Sequence, residues 1–178
     1  MPVYPLFIDT NTLASFALAK RLDLLRRCVE GHQPHWTEAV HDEVAAGLNR
    51  IETLFMEDVL QLTWIGEYWS PSLTDQIELQ HLIVALNGGY TGTSHHGEAE
   101  SILAAMKLNG RFVTDDREAY EFAKLKGIFC YDSVQILQEG ISLGSTTADE
   151  AWAAVESMLD AGRKISVGPD PKRSDFLL

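Results

Sequence analysis

A chain of 178 residues, 46% hydrophobic and 22% charged, has the size and balance of one folded domain and not of an intrinsically disordered chain. Its formal charge of −12 argues against passive capture of a phosphate backbone but leaves room for a carboxylate site that a hard cation fills. No apolar run approaches the ~20 residues of a membrane span, and no basic leader with a cleavage site opens the chain.

Taken in order, Val3–Ile8 is an apolar run closing on Asp9, so it reads as a buried central strand with an acid at its C-terminal end. Thr10 and Asn11 turn into a helix through Leu13–Ala19 and, past a bend, Leu22–Cys28. Asp9 is either a helix cap or a site residue on these grounds. Gly31–Trp36 is a connection with room for a minor strand. Thr37 then caps the helix TEAVHDEVAAGL, whose buried face is set by Val40, Val44 and Leu48. Asp42 falls opposite that face and Glu43 on its flank.

Val59–Ile65 has the β-branched and aromatic content of a strand, broken by Ser70-Pro-Ser72. Ser72 caps a helix through Leu73–Leu86, with Ile77, Leu79, His81, Leu82 and Val84 toward its apolar side. Asn87–His96 is a loop by composition, and His95-His96 lacks a third ligand at zinc spacing. Next comes Gly97–Asp116, GEAESILAAMKLNGRFVTDD: a helix over Glu98–Leu108 with Ile102, Leu103 and Met106 buried, an Asn109-Gly110 stop, and a strand Arg111–Thr114. That strand delivers Asp115 and Asp116 to its C-terminal end, where ligands bind in open α/β sheets.

Glu118–Lys126 is a helix stopped by Gly127, Ile128–Tyr131 a last strand ending at Asp132, and Val134–Glu139 and Ala148–Ala161 further helices. Trp152, Val155 and Leu159 mark the buried side of the last helix, and the tail from Ser166 to Leu178 reads as loosely held. Cys28 and Cys130 sit in apolar contexts without metal-type spacing, as buried thiols of a cytoplasmic protein rather than a disulfide. Alternating strands and helices predict an α/β sandwich around a mostly parallel sheet.

Four of these stretches resemble the motifs of PIN domains. FIDTN is similar to the first, AVHDEV to the second, and GEAESILAA followed by FVTDDREA to the third and fourth. The resemblance covers roughly Val3–Ile141, and the GEAE form is close to a VapC-like prokaryotic branch. It implies a PIN-like three-layer sandwich over residues 1–144, with a C-terminal helical extension at 145–165 and the tail at 166–178.

Carried over by position, the resemblance gives Asp9, Glu43, Glu100 and Asp116 as catalytic acids, with Asp9, Glu100 and Asp116 as metal ligands. Glu98 and Asp115 are their alternates, and Asn11 matches a small polar residue supporting the first acid. Arg117 and Tyr120 are candidates for substrate contact. The implied protein is a cytoplasmic Mg²⁺- or Mn²⁺-dependent endoribonuclease that hydrolyses RNA phosphodiesters with an activated water. It implies the toxin half of a toxin–antitoxin pair, a homodimer silenced by a small antitoxin protein.

The alternative to an enzyme is a catalytically inactive PIN-like interaction or scaffold module. A haloacid-dehalogenase-like phosphatase is less well matched, since it wants a second Asp where Asn11 stands. Leu13–Cys28 and Val40–Arg50 are the expected docking face. Phe16, Leu22 and Leu25 supply apolar surface there, beside Arg21, Arg26 and Arg27.

Overall fold

The computed structural model describes residues 3–47, 56–89 and 95–177. Strand β1 (Pro5–Ile8) lies inside a four-stranded sheet ordered β2-β1-β3-β4, with β2 at Gln33–His35, β3 at Arg111–Val113 and β4 at Phe129–Tyr131. All three pairings are parallel. The side-chain alternation of β1 explains why it is apolar on both faces. Leu6 and Ile8 enter one core with Val113 and Tyr131, while Phe7 enters the other with Phe112 and Cys130.

Helices cover each face. Helices α1 (Thr10–Leu18), α2 (Leu22–Val29), α8 (Ser133–Ser142) and α9 (Ala148–Asp160) share the first core with α3 (Glu38–Gly47) and α4 (Met56–Leu60). Helices α5 (Asp75–Leu86), α6 (His96–Leu108) and α7 (Arg117–Leu125) share the second. The result is the expected three-layer α/β arrangement. Because every strand runs the same way, the chain leaves β1, β3 and β4 at one sheet edge, and each exit is an Asp that caps the next helix: Asp9, Asp116 and Asp132.

Several local expectations are corrected. Val59–Ile65 is not a strand; α4 and a turn place Val59 and Ile65 in the core. The backbone of the following segment bonds the β2 side of the sheet instead, through Gly66 N–H to Pro34 O and Trp69 N–H to Trp36 O. Apolar, β-branched content here records burial rather than pairing. Helix α5 starts at Asp75, whose carboxylate reaches back to Ser72, so Ser72 is not its cap. Leu79, Leu82, Ile83 and Leu86 form its buried side, and Ile77 and His81 are exposed.

The buried side of α9 is Ala151, Ala154, Val155 and Met158, one position off the expected stripe at Trp152 and Leu159. In α6, Met106 is exposed, while Ala99 through Ala105 are buried all round because the helix is wedged between sheet and neighbouring helices. The tail is not loose at its end: a short 3-10 helix at Arg173–Phe176 seats a fully buried Phe176 against Trp152.

The expected docking face is also withdrawn. Phe16 and Leu25 are fully buried and Leu22 packs on the same core. Arg27 is tied across to Glu150 and to Ser145 O. The C-terminal helices α8 and α9 cover that surface. Leu48 and Arg50, also part of those expectations, lie outside the described residues.

Candidate active site

Strand pairing brings the first and last acids together. The N–H of Asp9 bonds Val113 O at 3.1 Å, which sets the end of β1 beside the Thr114-Asp115-Asp116 turn that follows β3. Asp9 is almost wholly buried. Its Oδ1 accepts the Thr12 amide at 2.7 Å and its Oδ2 accepts the Thr114 hydroxyl at 2.5 Å. Burial nevertheless raises its pKa to about 6, helped by the charge of Asp116 and opposed by those hydrogen bonds.

Asp116 is half-buried and caps α7, its Oδ1 accepting the Ala119 amide at 2.8 Å. Its second oxygen takes no hydrogen bond among the described residues. Asp115 points the other way. Both its oxygens are held at 2.8 Å by Ser133, one by the amide and one by the hydroxyl. Burial pushes its pKa to about 7, with Asp9 and Asp132 adding repulsion. Asp115 is thus a buried support behind the strand-end acids.

Glu43, on the flank of α3, accepts a short hydrogen bond from the Thr10 hydroxyl next to Asp9. It also lies against Gly97 in the first turn of α6. A Cβ on Gly97 would stand 2.8 Å from Glu43 Oε1 and 3.0 Å from Oε2, so the glycine is what admits the carboxylate. Asp42 is exposed beside His41, as helical geometry requires.

Glu100 and Glu98, the two candidates for the third acid, have different surroundings. Glu100 is buried and turned to the start of α3, where Oε1 accepts the Ala39 amide at 3.1 Å. His96 lies 3.8 Å from its other oxygen. Burial raises its pKa, with the His96 ring opposing the rise. Glu98 is the residue that faces the strand-end acids. Its pKa rises to about 7 by burial and then by the charges of Asp9 and Glu43, with His95 pulling it down.

His95, Glu98 and Asp116 offer one ligand atom each, all within 4.8 Å of one another. A donor set of two carboxylates and an imidazole, with the Glu98 carboxyl reluctant to ionise, fits a divalent cation that would offset the negative charge. Asn11 does not support Asp9; it is exposed, and Arg163 from beyond α9 binds its backbone oxygen at 3.1 Å and its Oδ1 at 3.4 Å. Arg117 does reach the site, lining a cavity of about 230 Å³ with Asp115 and Asp116. Tyr120 does not: its hydroxyl bonds Gln135 at 3.2 Å, and its ring lines a separate cavity at the β4 edge.

With this geometry in place, comparison with known families is informative. A family model described as a PIN domain matches residues 6–168. The chain belongs to the PIN domain family. PIN domains are generally nucleases, which supports an enzyme of nuclease type, and they typically use divalent metals, in keeping with this acidic donor set. The match runs through α9, beyond the last stretch in which sequence motifs resembled the family. Neither a search of curated proteins nor one of solved structures finds a match.

Sequence reasoning missed four contributors to this PIN domain site. They are the hydroxyls of Thr10 and Ser133, the space made by Gly97, and Arg163. Thr10 and Gly97 sit within recognised motifs, so adjacency was the available signal there, whereas Ser133 lies beyond the last motif, at the end of the final strand. Arg163 gave none, since nothing local ties position 163 to position 11. No helix among the described residues is long and apolar enough to cross a membrane.

Proposed function

We propose that this PIN domain is an endoribonuclease that hydrolyses RNA phosphodiester bonds with a divalent cation, Mg²⁺ or Mn²⁺. The observation that supports it best is the grouping of Glu98, Asp116 and His95 within 4.8 Å of one another at the sheet edge where Asp9 ends β1, with Glu43 bonded to Thr10 next to Asp9. Asp9, Glu98 and Asp116 would hold the ion, with His95 beside them. The bound ion supplies activation of water at neutral pH and neutralises charge developing on the phosphate.

The rest of the chemistry belongs to this chain. Thr12 and Thr114 fix the plane of the Asp9 carboxylate, and the cap to Ala119 fixes Asp116. Thr10 orients Glu43, the most accessible of the four acids, which is placed to accept a proton from the attacking water at Oε1. Glu100 is assigned to the start of α3 rather than to the ion.

The toxin role, a small antitoxin protein as partner and a homodimer rest on the resemblance to VapC-like members. Whatever face serves them, it is not the buried side of α1 and α2.

Carboxamide variants test the assignment. Glu98→Gln is expected to lose cleavage of a labelled single-stranded RNA in Mg²⁺ or Mn²⁺, and to lose the rise in melting temperature that the metal gives the parent. Glu100→Gln is expected to keep both, since an amide oxygen still accepts from Ala39. Retention of both by Glu98→Gln would refute the ligand set. Absence of any metal-dependent stabilisation or cleavage in the parent would favour an inactive interaction module.

A further inference from the structure

An acidic site on an acidic chain must still attract a polyanion, and the charge balance around it is uneven. Lys107 pairs with Asp75 and Glu78, Arg27 with Glu150, and Arg173 with Asp149. Arg117, Arg163 and Lys164 have no carboxylate within 4 Å among the described residues, although they line one cavity of about 230 Å³ with Asp115 and Asp116. Arg117 opens α7 immediately after the capping acid. Arg163 and Lys164 arrive from the far end of the chain, just past α9.

Their position is enforced. Arg163 Nε binds Ser15 Oγ at 3.1 Å, and its Nη2 binds Asn11 O at 3.1 Å. Ser15 in turn donates to Asn11 O at 2.8 Å. These bonds clamp the segment after α9 to the first turns of α1, the helix that Asp9 caps. Arg117 and Lys164 both remain exposed.

We propose that Arg117 and Lys164 form a phosphate-binding subsite for the single-stranded nucleic-acid backbone next to the scissile position, with Arg163 as the positioning residue that sets it against α1. The inference rests on the nuclease reading above and gives the side from which the strand enters. Two exposed cations beside the acids offset their repulsion where a phosphate flanks the reaction centre. On a chain of net charge −12, cations placed beside the acids give a phosphate a local point of attraction. The C-terminal segment is then part of substrate binding rather than an appendage.

Binding can be separated from cleavage by measuring anisotropy of a labelled single-stranded oligoribonucleotide in Ca²⁺, over a series of salt concentrations. Lys164→Ala and Arg117→Ala are each expected to weaken binding and to lower the slope of log K against log salt by about 0.7, the value for one phosphate contact on a single strand. Arg26→Ala, an exposed cation on α2, is the control and is expected to change neither. A DNA strand of the same sequence should show the same loss of slope, because the subsite reads phosphate.

Unchanged slopes in both site variants would overturn the proposal, as would an equal loss in Arg26→Ala, which would mean a diffuse field. Lost slopes in a protein that binds but does not cleave in Mg²⁺ or Mn²⁺ would uphold the subsite while refuting the catalytic reading.

Discussion

Asp9→Asn is expected to make the metal-free protein more stable while abolishing cleavage. In the folded state Asp9 titrates near 6 instead of its ordinary 3.8, mainly because it is buried. A raised carboxyl pKa means that the folded state holds its proton longer than the unfolded chain does. Stability therefore falls as pH rises from about 4 to about 6 and stays low above that. The shift corresponds to about 3 kcal/mol at pH 8 and to about 1 kcal/mol at pH 4.5.

Asparagine removes the charge at nearly the same shape. Its oxygen still accepts from Thr12, but the bond from the Thr114 hydroxyl must reverse, so a net gain of about 2 kcal/mol is expected at pH 8. For a chain of this size that is a rise of about 4–8 °C in melting temperature. The assay is thermal unfolding of parent and variant in a chelator at pH 8 and pH 4.5. A variant less stable than the parent at pH 8 would refute the reasoning, and so would a gain of equal size at both pH values. Adding Mg²⁺ or Mn²⁺ should then close the gap, because only the parent retains the full ligand set.

Two further substitutions test the surroundings. Gly97→Ala should leave the melting temperature unchanged or slightly higher, since alanine favours a helix by about 0.5–1 kcal/mol. Its Cβ displaces the Glu43 carboxylate, however, so cleavage should drop by about 10²-fold; full activity in a cleavage assay would show that Glu43 has no role. Phe176→Ala should cost about 3 kcal/mol by denaturant unfolding, because the ring is fully buried. A cost below about 1 kcal/mol would restore the reading of the tail as loosely held.

The strand-end acids were legible because two independent cues agreed: an apolar run short enough for a buried strand, and an acid at the point where it ends. Asp9 and Asp116 carry both cues, and parallel pairing does the rest. The choice between Glu98 and Glu100 was not legible in the same way. The two lie about 200° apart on a helix, so a clear apolar stripe would decide between them. Helix α6 has no such stripe, being buried from Ala99 to Ala105 on every side. Pattern matching to the family favoured Glu100, whereas it is Glu98 that lies close to Asp116.

Long-range contacts were invisible for a different reason. Phe176 is one aromatic residue in a polar tail, and Arg163 one cation after a helix; neither has periodicity to read. Val59–Ile65 shows the converse failure. Its composition correctly signals burial, but burial without a partner strand does not make a sheet.

Whether Asp9 is a helix cap or a site acid proves to be a false choice. It accepts the Thr12 amide while burial, with the charge of Asp116, raises its pKa. Asp116 likewise caps α7, and Glu100 lends its charge to the start of α3. Five helices, α1, α3, α6, α7 and α8, begin along this edge, each presenting amides that have no partner within the helix and the positive end of its dipole. Those amides offset part of the cost of gathering carboxylates, which is why the cluster can persist before any cation arrives. They cannot offset all of it, since Asp9, Glu98 and Asp115 all keep raised pKa values. Burial is the main cause of those shifts and repulsion adds to it, and a bound cation would offset both. Truncating a capping acid to alanine would remove the helix cap together with the charge, so only the carboxamide isolates the electrostatic part.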